Sequence, residues 1–297
     1  MDIRALFAGL MFGLMWSSAF TSARMIVAEA PPLTALTLRF LVSGLIGIAI
    51  AYALGQRARL SAAQWRATIL FGICQNALYL GLNFIAMQTV EASLASIIAS
   101  TMPLWVAIVG ISFFGQSIRP MGWIGLAAGI AGVALIMGTR VNAGADLYGI
   151  LLCALGVASL SAATLSVRVA SAGGNRLMVV GLQMLVGSAA LFPFAAVYEF
   201  PTLDVTLTPR LTLAFLYTTL IPGLAATFVW FWLVERIGAV RAATFHFLNP
   251  FFGVAIAAIL LGEKLGPLDI VGVTIIAAGI LAVQLSKAPP QTEKRPA

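Results

Sequence analysis

The stretch 33–54, L-T-A-L-T-L-R-F-L-V-S-G-L-I-G-I-A-I-A-Y-A-L, carries one charge in its whole length. A helix that crosses a bilayer needs roughly 20 mostly apolar residues, and this run supplies them. Nine more runs of the same kind follow the same pattern, so the candidate spans are 4–27, 33–54, 66–88, 91–114, 121–138, 147–170, 177–198, 210–234, 240–261 and 268–286. Breakers stand between them, including Pro31-Pro32, Gly55, Pro120, Gly173-Gly174, Pro201, Pro209 and Pro267. Little chain is left for a soluble domain. Of the 297 residues, 61% are hydrophobic and 9% charged, against roughly 25% charged in a soluble domain. The period-2 alternation of an outer-membrane barrel is absent. The sequence predicts an all-α membrane protein with ten transmembrane helices.

The net charge of +7 does not mark a nucleic-acid binder, because the basic residues stand singly between apolar runs. They act as topology signals. One side collects Arg4, Arg57, Arg59, Arg66, Arg119, Arg168, Arg176, Arg236, Arg241, Lys287, Lys294 and Arg295, and the other Arg24, Arg140, Arg210 and Lys264. This bias places both termini in the cytoplasm. The apolar stretch after Met1 is too long for a signal-peptide core and is expected as a retained first helix. The proline-rich charged end, 288–297, is expected as a disordered cytoplasmic tail. Cys74 and Cys153 lie inside apolar runs without metal-ligand spacing, so they are expected as small buried hydrophobes.

An internal repeat follows from a shift of 147 residues, which lays Pro103 on Pro250, Gly115 on Gly262, Pro120 on Pro267, Gly125 on Gly272 and Gly132 on Gly279. Further upstream a shift of 144 lays Arg24 on Arg168, Ser22 on Ser166 and Leu41-Val42 on Leu185-Val186. Prolines and glycines set helix kinks, ends and close approaches, so their recurrence at one offset marks a repeated build. The units are residues 1–141 and 142–287. Each holds five spans, an odd number, so the second unit must enter the membrane from the opposite face. Two inverted five-helix repeats are a recurring construction of secondary transporters, with the solute site near the midplane between them.

The segment A-S-L-A-S-I-I-A-S-T-M-P-L-W-V-A with F-F-G-Q and G-L-A-A-G-I-A-G-V resembles the EamA-type repeat of the drug/metabolite transporter superfamily. The second copy, A-T-F-H-F-L-N-P-F-F-G-V-A-I-A-A-I-L-L-G-E with G-V-T-I-I-A-A-G-I, resembles it more closely; the first departs at Gln116, where the repeat usually has a glutamate. The resemblance extends from Leu6 to about Gln284. It implies a ten-helix exporter of small metabolites in a bacterial inner membrane, working by alternating access. Within the superfamily the chain is most similar to the YddG-type exporters of aromatic amino acids. The implied substrates are phenylalanine, tyrosine, tryptophan and other neutral amino acids. Export of another metabolite or a drug, or passive channel-like facilitation, is the alternative. A channel is expected to repeat its lining groups as rings, and the polar stripes here are few and dissimilar.

On a helical wheel His246, Asn249 and Gly253 fall within about 60° of one another. Ser96, Ser100 and Pro103 make a matching wedge on span 4, and Asn76, Tyr79 and Asn83 another on span 3. Amides turned toward lipid lose hydrogen bonds at several kcal/mol each, so these stripes should face protein or a cavity. Pro103 and Pro250 remove backbone N–H groups and are expected to bend their helices. Trp16, Trp105 and Trp230 offer rings to an aromatic solute, and Tyr79 and Tyr217 add hydroxyls. The competing role of each residue is helix packing or lipid contact. Arg39, about 9 Å inside span 2, either snorkels or bonds structurally, or meets a substrate carboxylate.

None of the ten carboxylates occupies a span centre. The usual acidic proton relay or sodium site is therefore absent, and uniport-like transport, or weak proton linkage through His246, is expected. No phosphate-binding G-x-x-x-x-G-K-[S/T] loop, metal motif or acid–base pair points to an enzyme. No cofactor, metal or nucleic acid is expected; the expected partners are the lipid bilayer and a small-molecule substrate, and the expected state is monomeric.

Overall fold

The computed structural model describes residues 3–114, 120–142, 144–170, 175–264 and 266–285, and all regular structure among them is helical. Gln116 and the segment from 288 lie outside the described residues. The elements are α1 (Ile3–Val27), α2 (Pro32–Ala53), α3 (Ala62–Phe71), a π-helical segment Gly72–Leu80, α4 (Gly81–Ala86), α5 (Ala92–Ser100), α6 (Met102–Phe114), α7 (Pro120–Asn142), α8 (Leu147–Ala170) and α9 (Arg176–Tyr198). After a 3-10 turn at Phe200–Thr202 come α10 (Pro209–Thr218), a second π-helical segment Thr219–Ala226, α11 (Thr227–Ile237), α12 (Ala239–Ala243), a 3-10 segment Thr244–Leu248, α13 (Asn249–Leu261) and α14 (Pro267–Leu285). Among the described residues 7 helical stretches are long and apolar enough to cross a membrane, and Ala92–Ile108, Pro120–Ile136 and Pro267–Val283 are shorter apolar helices. Cys153 is buried and Cys74 half-buried, both as free thiols.

The helix boundaries follow local chemistry. Ser61 and Gln64 form a capping box that starts α3. Thr208 caps α10, whose first residue is Pro209. Gly262, at φ 69°, ends α13 in the left-handed conformation that only glycine adopts without strain.

Two long antiparallel pairs, α2 with α9 and α7 with α14, frame the bundle. Their backbones touch at glycines. A Cβ on Gly125 would stand 2.6 Å from the Gly279 carbonyl, and one on Gly132 2.9 Å from that of Gly272. The 147-residue shift lays Gly125 on Gly272 and Gly132 on Gly279, so it exchanges these two contacts. In the other pair a Cβ on Gly44 would stand 3.0 Å from the Gly181 carbonyl, and Ser188 Oγ donates to the Thr37 carbonyl at 2.9 Å. The 144-residue shift exchanges these as well. The irregular segments recur too: the π segments begin at Gly72 and Thr219, 147 residues apart, and helical breaks precede both Pro103 and Pro250.

One face of the bundle gathers the end of α1, the starts of α2 and α5 and the ends of α9 and α13. The Glu199 carboxylate accepts from the amides of Leu33 and Thr34 at 2.9 and 2.6 Å. Glu263 likewise accepts from Ala92 and Ser93, both at 2.9 Å. These anions satisfy the open N–H groups of α2 and α5 and meet the positive ends of their dipoles. At the opposite face a neutral amide fills the same role, with Gln56 Oε1 accepting from the Met178 amide at 3.0 Å.

The close glycine contacts set a test of the frame. Gly279→Val should destabilise the protein by about 1–3 kcal/mol through overpacking and lower its unfolding midpoint in detergent. Gly138→Ala, with nothing within 4 Å of the new methyl, should not lower the midpoint, since alanine is the better helix residue.

Candidate functional site

His246 sits in a box of aromatic rings. Trp230, Phe12 and Trp16 each meet it edge-on, with centroids at 5.2, 5.3 and 5.7 Å. Phe12 stacks on Trp230 at 5.0 Å, and Trp16 lies parallel to Tyr79 at 6.3 Å. Such edge-to-face and offset arrangements match the negative ring faces to positive edges. The box joins α1, the first π segment, α11 and the 3-10 segment before α13. Trp16, Tyr79, Trp230 and His246 are all buried.

The 3-10 segment has a local cause. Pro250 has no N–H for the His246 carbonyl four residues earlier. The Asn249 amide, three residues on, bonds that carbonyl instead. In a 3-10 turn residues three apart eclipse, so the Asn249 side chain stands over His246, with Nδ2 3.2 Å from His246 Nδ1. Ser17 Oγ donates to Asn249 Oδ1 at 3.1 Å, which turns the amide nitrogen toward the imidazole. With the amide in this orientation Nδ1 is the acceptor, which corresponds to the tautomer with its proton on Nε2. Ser96 Oγ donates to the Asn249 carbonyl at 2.6 Å and ties α5 to α13. Around Pro103, α5 ends at Ser100, Thr101 forms a turn and α6 restarts at Met102.

Beside the box lies a small, mostly enclosed cavity of about 20 Å³, lined by Trp16, Arg39, Gln75, Asn76, Tyr79 and Asn83 among others. That is about the room one water needs. Gln75 Oε1 and Asn83 Oδ1 are buried without a hydrogen-bond partner, as is Trp230 Nε1. Asn83 Nδ2 donates to the Tyr79 carbonyl at 2.8 Å. Asn76 Nδ2 donates to the Gln183 carbonyl at 2.9 Å and to Gln183 Oε1. Arg39 does not snorkel; it is 3% exposed. Its Nε donates to the Thr218 carbonyl at 3.2 Å. Pro222 has no N–H for that carbonyl, and the chain there runs in the π register, which offers it the Gly223 amide five residues on; the Arg39 bond is a further one. Among the described residues no carboxylate pairs with Arg39 and none lines this cavity. On the face of Glu199 and Glu263, by contrast, two open vestibules of about 560 and 610 Å³ lie between the helix ends.

The fold thus brings Trp16, Tyr79, Trp230, His246 and Asn249 into one cluster, with Ser96 against it and Asn76 and Asn83 on the adjoining cavity. It does not bring the others there. Ser100 bonds the Ile97 carbonyl of its own helix. Trp105 is half-buried outside the cavity, and Tyr217 is 40% exposed with its hydroxyl 2.7 Å from Ser18 Oγ. Sequence reasoning missed Phe12, Gln75, Gln183 and Pro222. Pro222 was legible by the argument applied to Pro103 and Pro250. The single apolar ring of Phe12 carries no such signal.

The EamA-like transporter family profile matches residues 3–138 and again 147–285. An uncharacterized transporter of Synechocystis is 24% identical over 91% of this chain and 86% of its own length. The uncharacterized inner membrane transporter YedA of Escherichia coli is 25% identical over 94% of this chain and 90% of its own. A solved crystal structure superposes with a TM-score of 0.68 over 95% of this chain and 98% of that chain, at 19% identity, a likeness of fold.

Asn249 holds three elements together, so Asn249→Ala should leave buried Ser17 and His246 groups unpaired and destabilise the protein by about 1–3 kcal/mol. Ser100→Ala should change stability by less than about 0.5 kcal/mol. Thermal unfolding in detergent measures both.

Proposed function

The chain belongs to the EamA-like transporter family, and on that premise we propose that this multi-pass membrane transporter exports amino acids, preferring phenylalanine, tyrosine and tryptophan. The observation that carries the reading is the box of Trp16, Trp230, Phe12 and His246, continuous through Tyr79 with a cavity that holds a buried cation and two unpartnered amide oxygens. An aromatic side chain entering between Trp16 and Tyr79 gains edge and offset contacts of about 0.5–1.5 kcal/mol per ring pair beyond area burial.

In this reading the chain has ten spans in two inverted five-helix units, residues 1–141 and 142–287, with both termini in the cytoplasm. Three observations support it: the family profile matches twice, the 147- and 144-residue shifts exchange the glycine contacts of α7–α14 and α2–α9, and the π segments recur at one offset. Antiparallel units that can trade conformations give alternating access. The small closed centre below open vestibules on the Glu199 and Glu263 face corresponds to a state with no through-path. A cavity wall without carboxylates fits uniport-like movement.

Counterflow in proteoliposomes tests the activity: preloaded unlabelled tryptophan should accelerate uptake of labelled tryptophan, which a pore does not do. Trp16→Ala and Trp230→Leu should each lower that exchange about tenfold or more, as hot-spot aromatics do, while Tyr217→Phe leaves it within about twofold. Equal exchange in all three variants removes the aromatic box from the pathway. Labelling of cysteines placed near each terminus, expected only after permeabilisation of cells, checks the orientation.

A further inference from the structure

Arg39 differs from the residue that occupies its place in the other half. The 144-residue shift lays Arg39 on Gln183, and the 147-residue shift lays Asn76 on Gly223. Both pairs meet in space. Asn76 and Gln183 satisfy one another, and Gln183 Nε2 donates further to the Val180 carbonyl at 2.9 Å. At the matching contact Gly223 faces Arg39 with no side chain: a Cβ there would stand 3.3 Å from Arg39 Nη2. A closed amide pair in one half is matched in the other by a guanidinium that lies 5.0 Å from the Phe40 ring centroid and has no carboxylate partner among the described residues. Its Nε is held by the Thr218 carbonyl, which fixes the plane of the fork, and it lines the same cavity as Gln75 and Asn83, whose amide oxygens are buried without a partner.

The geometry points to Arg39 as the anchor for the carboxylate of a zwitterionic substrate, with Gln75 Oε1 and Asn83 Oδ1 accepting from its ammonium group. This rests on the amino-acid reading above and deepens it. A guanidinium fork matches a carboxylate with two parallel hydrogen bonds, and two amide oxygens offer an ammonium acceptors without adding charge. The three groups with unmet bonding capacity are therefore of the two kinds an α-amino acid needs. Trp16 and Tyr79, on the same wall, would hold the ring. In the closed state a single water can bridge the polar groups; the substrate replaces it when the two π segments move apart.

The test is inhibition of labelled tryptophan exchange in proteoliposomes by indole-3-propionate, which keeps the carboxylate, and by tryptamine, which keeps the ammonium. In the wild type indole-3-propionate should compete well and tryptamine poorly. Arg39→Gln should raise the tryptophan KM roughly 30-fold or more, the low end for removing one member of a desolvated charge pair, and abolish the advantage of indole-3-propionate. Arg39→Lys should restore part of that advantage. Gln75→Leu should raise the KM for tryptophan without changing inhibition by indole-3-propionate. A purely structural arginine would lower the transport rate and leave the inhibitor ratio unchanged. If Arg39→Gln does not fold, Arg39→Lys and Gln75→Leu decide by the same ratios, and unchanged ratios in both overturn the anchor. A wild type that exchanges no amino acid overturns the functional reading itself; tryptophan exchange with full carboxylate preference in Arg39→Gln overturns the anchor alone.

Discussion

Inside a bilayer no water is on hand to bond a backbone carbonyl or amide, so each must find its partner in the protein. Most of this chain meets the constraint with regular helix. Two of the places where the helix is irregular hold prolines, Pro222 and Pro250, and both lie near the centre of the molecule. Around Pro222 the chain shifts to the π register, and Arg39 bonds the Thr218 carbonyl at its start. Pro250 has no N–H for His246, and the tightened turn that results stands Asn249 over the imidazole. The buried cation and the buried ring are thus both held where a helix is irregular.

The scaffold and the site differ in their relation to the repeat. Contacts that hold the frame recur at the two shifts: glycine on carbonyl in α7–α14, the approach of α2 to α9, and the π segments. Groups that can meet a solute do not recur. The same shifts lay Arg39 on Gln183, Tyr79 on Ala226, Trp230 on Asn83 and His246 on Ala99. The frame contacts thus recur between the two matched segments while the polar and aromatic groups of the centre differ. The centre is accordingly one-sided, with the cavity's charge on α2, rings of α1 and the first π segment on its wall, and the rest of the box on α11 and the turn before α13 beside it.

The helix ends are tied differently at the two faces. Carboxylates of Glu199 and Glu263 close the N-termini of α2 and α5 on the vestibule face, where the helix dipoles favour them. On the other face the amide of Gln56 bonds the start of α9. The ends of the helices are tied at both faces, and the centre between them has room for little more than one water. The π segments beside that centre have widened turns that depart from regular α geometry.

The solvent, the helical build and the recurrence of prolines and glycines were all legible in the amino-acid order. They depend on run length, composition and local backbone chemistry, which act within one turn or one span. Trp16, Tyr79, Trp230, His246 and Asn249 were legible too, because polar or large aromatic groups in an apolar run must face something other than lipid. Which of them meet was not. A helical wheel treats 246–253 as one α-helix, whereas Pro250 makes the first part 3-10 and changes the angles. Ser100, Trp105 and Tyr217 carry the same local signal as the clustered residues and lie elsewhere. Packing in three dimensions was needed to turn Arg39 inward to a carbonyl on α10, to close the box with Phe12, and to satisfy Gln183 where Arg39 is left open. Each depends on a partner more than 100 residues away in the chain, and no local pattern encodes that distance.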